Sequence, residues 1–231
     1  MPSAYFRVGL IVPSSNTVME PDLHRAMGSN AAISTTRIFL EQVTREAELE
    51  MLEEDLPRSL RLIQTTSPHV VVFGCTSAGS LGGLEHDAGI GRTIERETGA
   101  KAVTVLSSVV SQLRTHGSKK VAVFTPYREE LTRSVAESVV EGGCSVVHSA
   151  GMGYLENRDI GKVTPAEIVD FVESQMDSLQ ADCVFLSCTN WQAVGALNAL
   201  RLRFGIPVIS SNQAAIDAVR KLAGKSLEDP I

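Results

Sequence analysis

Two cysteines are distinguished by what surrounds them. Cys75 follows Val70-Val-Val-Phe-Gly74 and precedes Thr76, and Cys188 follows Cys183-Val-Phe-Leu-Ser187 and precedes Thr189. Each is predicted to lie just past the carboxyl end of a short buried strand, where open α/β sheets bind their ligands. The loop beyond each leads toward a helix start, whose unpaired N–H groups and partial positive charge lower a thiol's pKa and attract a carboxylate. A lone cysteine at a strand end is ordinarily a small buried hydrophobe, and Cys144 and Cys183 take that reading. The repeated Cys-Thr pair is read instead as two thiols on either side of one cleft. Such a pair suits addition to one face of a small acid and proton transfer on the other. With no Cys-x-x-Cys and no histidines at ligand spacing, no zinc site is expected.

A third candidate is Pro13-Ser14-Ser15-Asn16-Thr17, again directly after an apolar run. Its hydroxyls and amide can donate hydrogen bonds to a carboxylate, or can serve as an ordinary helix cap. The corresponding place later in the chain is Thr125-Pro126-Tyr127, whose phenol can reach the same cleft. Asn157, in Glu156-Asn157-Arg158-Asp159, reads on its own as a turn residue. Trp191 is either a pocket wall or a core anchor. The five histidines, 24, 69, 86, 116 and 148, show no partner pattern and are read as surface or packing residues. Neither a Walker loop nor a Gly-x-Gly-x-x-Gly after a strand is present, so no nucleotide or nicotinamide cofactor is expected.

The elements that must position these residues follow from the apolar pattern. Strands are predicted at Val8–Val12, Val70–Phe73, Ala102–Leu106, Val121–Phe124, Cys183–Leu186 and Pro207–Ile209, all short β-branched runs of the kind buried in parallel sheets. Helices are predicted at Glu46–Gln64, Ile90–Thr98, Val109–Thr115, Glu129–Glu141, Thr164–Leu179 and Gln213–Leu222. Thr164-Pro165-Ala166-Glu167 carries a capping box with proline in the first turn. Strand alternating with helix gives an α/β fold with parallel sheets. Val8-Gly-Leu-Ile-Val-Pro13 matches Val121-Ala-Val-Phe-Thr-Pro126, and Val70–Thr76 matches Cys183–Thr189, both at an offset of 113 residues. Gly99–Ser108 and Gly205–Ser211 match more loosely, near 104. Three blocks in one order predict two similar α/β halves. The glycine-rich stretch from Gly79 to Gly91 is the expected place for a lid.

At 231 residues and 43% hydrophobic, the chain can bury a substantial core. Its net charge of -6 offers no basic surface for nucleic acid. No apolar run reaches the roughly 18–20 residues of a membrane span, and the N-terminus does not read as a signal peptide. Four cysteines do not make a disulfide scaffold, so a reducing cytoplasm is the expected setting.

Val8-Gly-Leu-Ile-Val-Pro-Ser-Ser-Asn16-Thr17, Gly74-Cys75-Thr76-Ser77, Thr125-Pro126-Tyr127, Asn157 and Ser187-Cys188-Thr189 together resemble the aspartate/glutamate racemase superfamily. The branch they resemble most is that of the maleate cis-trans isomerases, with arylmalonate decarboxylases and ectoine-utilisation racemase-like proteins nearby. The similarity runs from about residue 7 to residue 222. It implies two pseudo-symmetric Rossmann-like subdomains with the active site between them and no cofactor. Residues 1–108 with 210–231 would form one, and 109–209 the other. By motif, Cys75 would be the nucleophile, or one of two acid/base thiols, and Cys188 the proton-transferring partner. Asn16, Tyr127 and Asn157, with Ser14 and Ser15, would bind substrate carboxylates, helped by N–H groups at Thr76, Ser77 and Thr189. The activity implied is maleate-to-fumarate isomerisation through a Cys75 thioether. A two-thiol amino-acid or hydroxy-acid racemase is the alternative, and the polar Thr76-Ser77 and Thr189-Asn190 after each cysteine resemble that branch. Retention of Cys75 argues against decarboxylase activity. A small carboxylate or dicarboxylate is the expected substrate, and family habit makes a homodimer plausible.

Overall fold

The computed structural model describes residues 5–176 and 180–224. The first half runs β1 (Phe6–Pro13), α1 (Met19–Met27), β2 (Ala31–Ile38), α2 (Arg45–Glu50), α3 (Leu56–Ile63), β3 (Val70–Phe73), α4 (Thr76–Ser80), α5 (Gly83–Thr98) and β4 (Lys101–Thr104). Helix α6 (Val105–His116) leads into the second half. There follow β5 (Lys120–Tyr127), α7 (Glu129–Glu141), β6 (Ser145–Tyr154), α8 (Asn157–Ile160), α9 (Pro165–Met176), β7 (Cys183–Leu186), α10 (Ala193–Phe204), β8 (Val208–Ser210) and α11 (Ser211–Ala223). Among the described residues, no helix is long and apolar enough to cross a membrane.

The strands form two four-stranded parallel sheets of identical topology, β2-β1-β3-β4 and β6-β5-β7-β8. The repeat seen in the sequence is also a repeat of hydrogen-bond register. Val8 faces Val70 and Ile33, while Val121 faces Cys183 and Val146, each 113 residues on. The looser third match shifts by two residues. Ala102 pairs with Val71 and Val208 with Val184, so the last strands correspond at an offset of 106. Thr104 and Ser210 are then equivalent, each extended and immediately preceding a helix.

Strands β3 and β7 are buried at every position, as continuous β-branched runs require. The edge strands β2 and β6 were not legible as runs. β6 alternates exposed and half-buried residues along its whole length, because successive side chains point to opposite faces of the sheet, one of which packs against α7. Two other expectations are corrected. The apolar run Ala102–Leu106 does not stay extended: Val105 and Leu106 are buried in the first turn of α6, which therefore starts four residues before Val109. The Gly79–Gly91 stretch is not a loop but parts of α4 and α5, joined only by Leu81 and Gly82. Gly79 is there for closeness, since a Cβ on it would stand 2.6 Å from Asp87 Oδ1. Helix α10 escaped prediction because its apolar residues are not confined to one face, with Leu202 88% exposed.

The predicted helix 46–64 is observed as α2 and α3 joined through a π-helical turn, Met51–Asp55. The capping box at Thr164 is present: Thr164 N–H and Oγ1 both donate to Glu167 Oε2, and Glu167 N–H returns to Thr164 Oγ1. The last three residues of the predicted helix 164–179 lie outside the described residues. After β8 completes the second sheet, α11 packs on α1, β3 and β4 of the first half and on the connecting helix α6.

Candidate active site

Because the two sheets share one topology, Cys75 after β3 and Cys188 after β7 occupy equivalent places at strand ends. Both line one small cavity together with Pro13, Asn16, Leu40, Val43, Ser77, Tyr127, Asn157, Thr189 and Asn190. Its interior, about 10 Å³, admits little more than one water-sized molecule. Larger open grooves exist elsewhere, between α5, α6 and α11 and between α3 and α5. Neither contains a reactive thiol.

Each sulfur is met by the start of the turn that follows it. Cys75 precedes the first residue of α4 in extended conformation and receives the Ala78 N–H. Cys188 Sγ accepts the Asn190 N–H at 3.3 Å and lies against the Tyr127 hydroxyl. Cys188 has φ 150°, a backbone region that favours glycine. It is held there by its own N–H donating to Ser211 Oγ at 3.1 Å. Burial nevertheless dominates the electrostatics. It pushes Cys75 well above an ordinary thiol, helped by the negative charge available to Glu48. It pushes Cys188 up to about 12, against the opposing hydrogen bonds from Tyr127 and Asn190. Tyr127, 2% exposed at the end of β5, is raised by the same burial and by the two thiols. In this closed form both thiols carry their protons at neutral pH, so Cys188 is equipped to give one.

The polar residues divide into those that line the cavity and those that hold its walls. Asn16 does both. Its Oδ1 accepts the Val18 and Met19 N–H groups at the start of α1, and its Nδ2 donates to Thr189 Oγ1 at 2.9 Å. The cap and the site residue are therefore one side chain, with a single amide hydrogen left over. Thr189 Oγ1 in turn donates to Gly74 O at 2.8 Å, tying the two cysteine loops together. Asn157 donates to Ser15 Oγ at 2.8 Å and lines the cavity, so it is more than a turn residue. Ser14, Ser15 and Thr76 do not line the cavity. Ser14 Oγ accepts the Leu40 N–H, Ser15 Oγ donates to Leu40 O, and Thr76 Oγ1 donates to Ser211 Oγ.

The roof over the cavity comes from the segment between β2 and α2, which supplies Leu40 and Val43. It crosses to the other half through Val43 N–H to Leu155 O, 2.8 Å, and Asn157 N–H to Glu41 O, 2.9 Å. Gln42 also donates from Nε2 to Glu156 Oε1. This antiparallel bridge closes the cleft, where sequence reasoning had looked to the glycines after Cys75.

Sequence reasoning missed three contributors. Asn190 bonds the Asn157 carbonyl at 2.7 Å and the Thr17 N–H at 2.9 Å. Ser211 braces the Cys188 N–H and Thr76, and its signal was present in the looser third repeat. Glu48 is wholly buried on α2 and hydrogen-bonded to Ser77, with no sequence signal except a carboxylate on an otherwise amphipathic helix. Trp191 does not line the cavity; it is an interior residue packed edge-on to Phe171. Cys144 and Cys183 donate to backbone carbonyls in the interior, as packing residues do. Among the described residues, no Lys, Arg or His lines the cavity. A carboxylate there is received by N–H and O–H donors alone.

Known proteins match this chain over nearly their whole length. The chain is 26% identical to a maleate isomerase of Geobacillus stearothermophilus, covering 94% of this chain and 91% of that one. It is likewise 26% identical to an arylmalonate decarboxylase of Bordetella bronchiseptica, covering 96% and 93%. The fold is that of the crystal structure of maleate isomerase Iso from Pseudomonas putida S16, with a TM-score of 0.88, 22% identity and coverage of 94% and 92%. It also matches a Nocardia farcinica maleate cis-trans isomerase variant with a covalently bound succinylcysteine intermediate, at a TM-score of 0.87, 21% identity and coverage of 98% and 100%. Two parallel sheets with one cysteine at the end of each third strand, matched to the family over residues 8–229, make this chain a member of the arylmalonate decarboxylase family.

Proposed function

We propose that this protein is a maleate cis-trans isomerase that needs no cofactor. The observation that carries this reading is the placement of Cys75 and Cys188 in one closed cavity that offers an anion N–H and O–H donors and, among the described residues, no cationic side chain. The maleate isomerases among its relatives support it. The Cys75 thiol first releases its proton to solvent, and the thiolate sulfur bonds to one alkene carbon. The electron pair of the double bond moves to the neighbouring carbon and its carboxylate, and Cys188 delivers a proton there. The resulting thioether has a single C–C bond that rotates. Cys188 then takes the proton back, the C–S bond breaks, and fumarate and the Cys75 thiolate remain. Tyr127 and the Asn190 N–H hold charge on Cys188 while it is deprotonated. Asn16 and Asn157, each with an amide hydrogen to spare, receive carboxylates, and Ser77 lies beside Cys75. This reading takes residues 1–108 with 210–231 as one lobe and 109–209 as the other, supported by α11 lying on the first sheet.

A racemase of an amino or hydroxy acid is the second reading, favoured by the same two facing thiols. Proton NMR in D2O with maleate, aspartate and glutamate together separates the two. Fumarate formation is the expected result. Loss of an amino-acid α-proton signal with maleate untouched would replace the isomerase with the racemase.

A further inference from the structure

Among the described residues, Glu48 is the one carboxyl group that reaches the Cys75 sulfur through a hydrogen-bond chain. It has no exposed surface. Ser77 Oγ donates to its Oε1, and that same Oγ stands 3.8 Å from Cys75 Sγ. Its other oxygen, Oε2, has no hydrogen-bond partner. Its surroundings supply no counter-charge. On α2, Arg45 spends its guanidinium on Leu81 O, while Glu46 and Glu50 point to solvent. Helix α4 is Thr-Ser-Ala-Gly-Ser, without a charge. The π-helical turn adds only Glu53, Glu54 and Asp55, and His86 on α5 bonds the Ala78 carbonyl. Across the cavity stand Cys75, Cys188 and Tyr127, all acids. A buried carboxylate with no cation and one hydrogen bond is costly, and such a group keeps its proton.

We propose that Glu48 is a positioning residue of this site that works as an uncharged acid, fixing Ser77 against Cys75 and leaving the site's negative charge to the thiolate and the bound carboxylates. For its substrate the proposal rests on the isomerase reading; for the thiol it does not. Burial, opposed by the Ser77 hydrogen bond, raises the Glu48 pKa to about 8. Above that pH Glu48 ionises first, and its charge opposes both Cys75 ionisation and a dianionic substrate. The wild-type kcat/KM therefore climbs with pH only to about 8 and then flattens, while KM rises. Glu48→Gln keeps the shape and the polar contact but cannot ionise. Its kcat/KM continues upward and exceeds wild type about tenfold one pH unit beyond the plateau.

Infrared spectroscopy in D2O tests the protonation without turnover. Near neutral pH the wild type should show a buried carboxylic-acid C=O band that disappears above about pH 8. The band should be lost in Glu48→Gln, retained in Asp87→Asn, which removes another carboxyl with no exposed surface, and shifted in Ser77→Ala. If Glu48→Gln does not fold, the wild-type titration with the other two variants still decides the assignment. Absence of the band near neutral pH, or a Glu48→Gln profile that flattens where the wild type does, would overturn the proposal. If maleate is not turned over at all, the isomerase reading fails separately. The infrared band and the pH dependence of Cys75 alkylation in Cys188→Ser then still decide on Glu48.

Discussion

Tyr127→Phe removes one oxygen from the interior and leaves the ring, so it isolates what the hydroxyl does for Cys188. The phenol is buried at the end of β5, and its backbone N–H is fixed by Thr125 Oγ1 at 3.0 Å. The ring will therefore stay where it is. Cys188 then keeps the N–H groups of Asn190 and Trp191 but loses its side-chain donor. The proposed reaction makes Cys188 anionic after it has delivered its proton, and a hydrogen bond to a charged group is worth about 1.5–3 kcal/mol. At 1.36 kcal/mol per tenfold, kcat/KM should fall by about 10- to 150-fold. Because Cys188 starts as a thiol, the loss should fall on kcat more than on KM. Folding should change by no more than about 1 kcal/mol, since a buried Cys188 sulfur is a poor acceptor while protonated. The assay is the initial rate of fumarate formation, with thermal unfolding in parallel. A kcat/KM within twofold of wild type would refute the role given to the hydroxyl. So would a rate loss accounted for by unfolding.

Three further outcomes follow from the same geometry. Cys75→Ala should reduce turnover by at least about a thousandfold with the fold intact, and residual activity near one per cent would remove Cys75 as nucleophile. Cys188→Ser keeps the nucleophile but removes the thiolate that takes the proton back from the thioether, so mass spectrometry of the intact protein with maleate should reveal a chain heavier by one substrate; its absence would count against the thioether. Stability should fall as pH rises, because Glu48 has a folded pKa of about 8 against an ordinary 4.5. Its contribution is complete below the unfolded value and is lost through the folded one, up to about 5 kcal/mol across that window. Glu48→Gln should flatten the fall of Tm between those pH values, and an unchanged slope would assign the effect elsewhere.

The architecture, and the two cysteines proposed to react, were legible in the apolar pattern alone. A parallel sheet covered on both faces demands unbroken β-branched strands. Those runs stand out at Val8, Val70, Val121 and Cys183, spaced so that one offset relates the halves. Because strand ends in such sheets carry ligands, the residues after those runs, Cys75 and Cys188, were legible at once. Elements with one solvated side were not. β2 and β6 lack an apolar run, and α10 lacks a single apolar face. Val105 and Leu106 show the limit of periodicity, since a buried helical turn and a buried strand are composed alike.

What surrounds the sulfurs is set by contacts between segments far apart in the chain. Asn16 and Thr189, 173 residues apart, meet because the two halves face each other. The roof belongs to the segment after β2 because its backbone pairs with residues 155–157 of the opposite half, a contact between distant segments that leaves no local pattern. Glu48 looked like one more charge on a solvated helix. Its burial beside Ser77 is set by where α2 packs on α4, and that placement, rather than the residue type, turns a surface acid into part of the site.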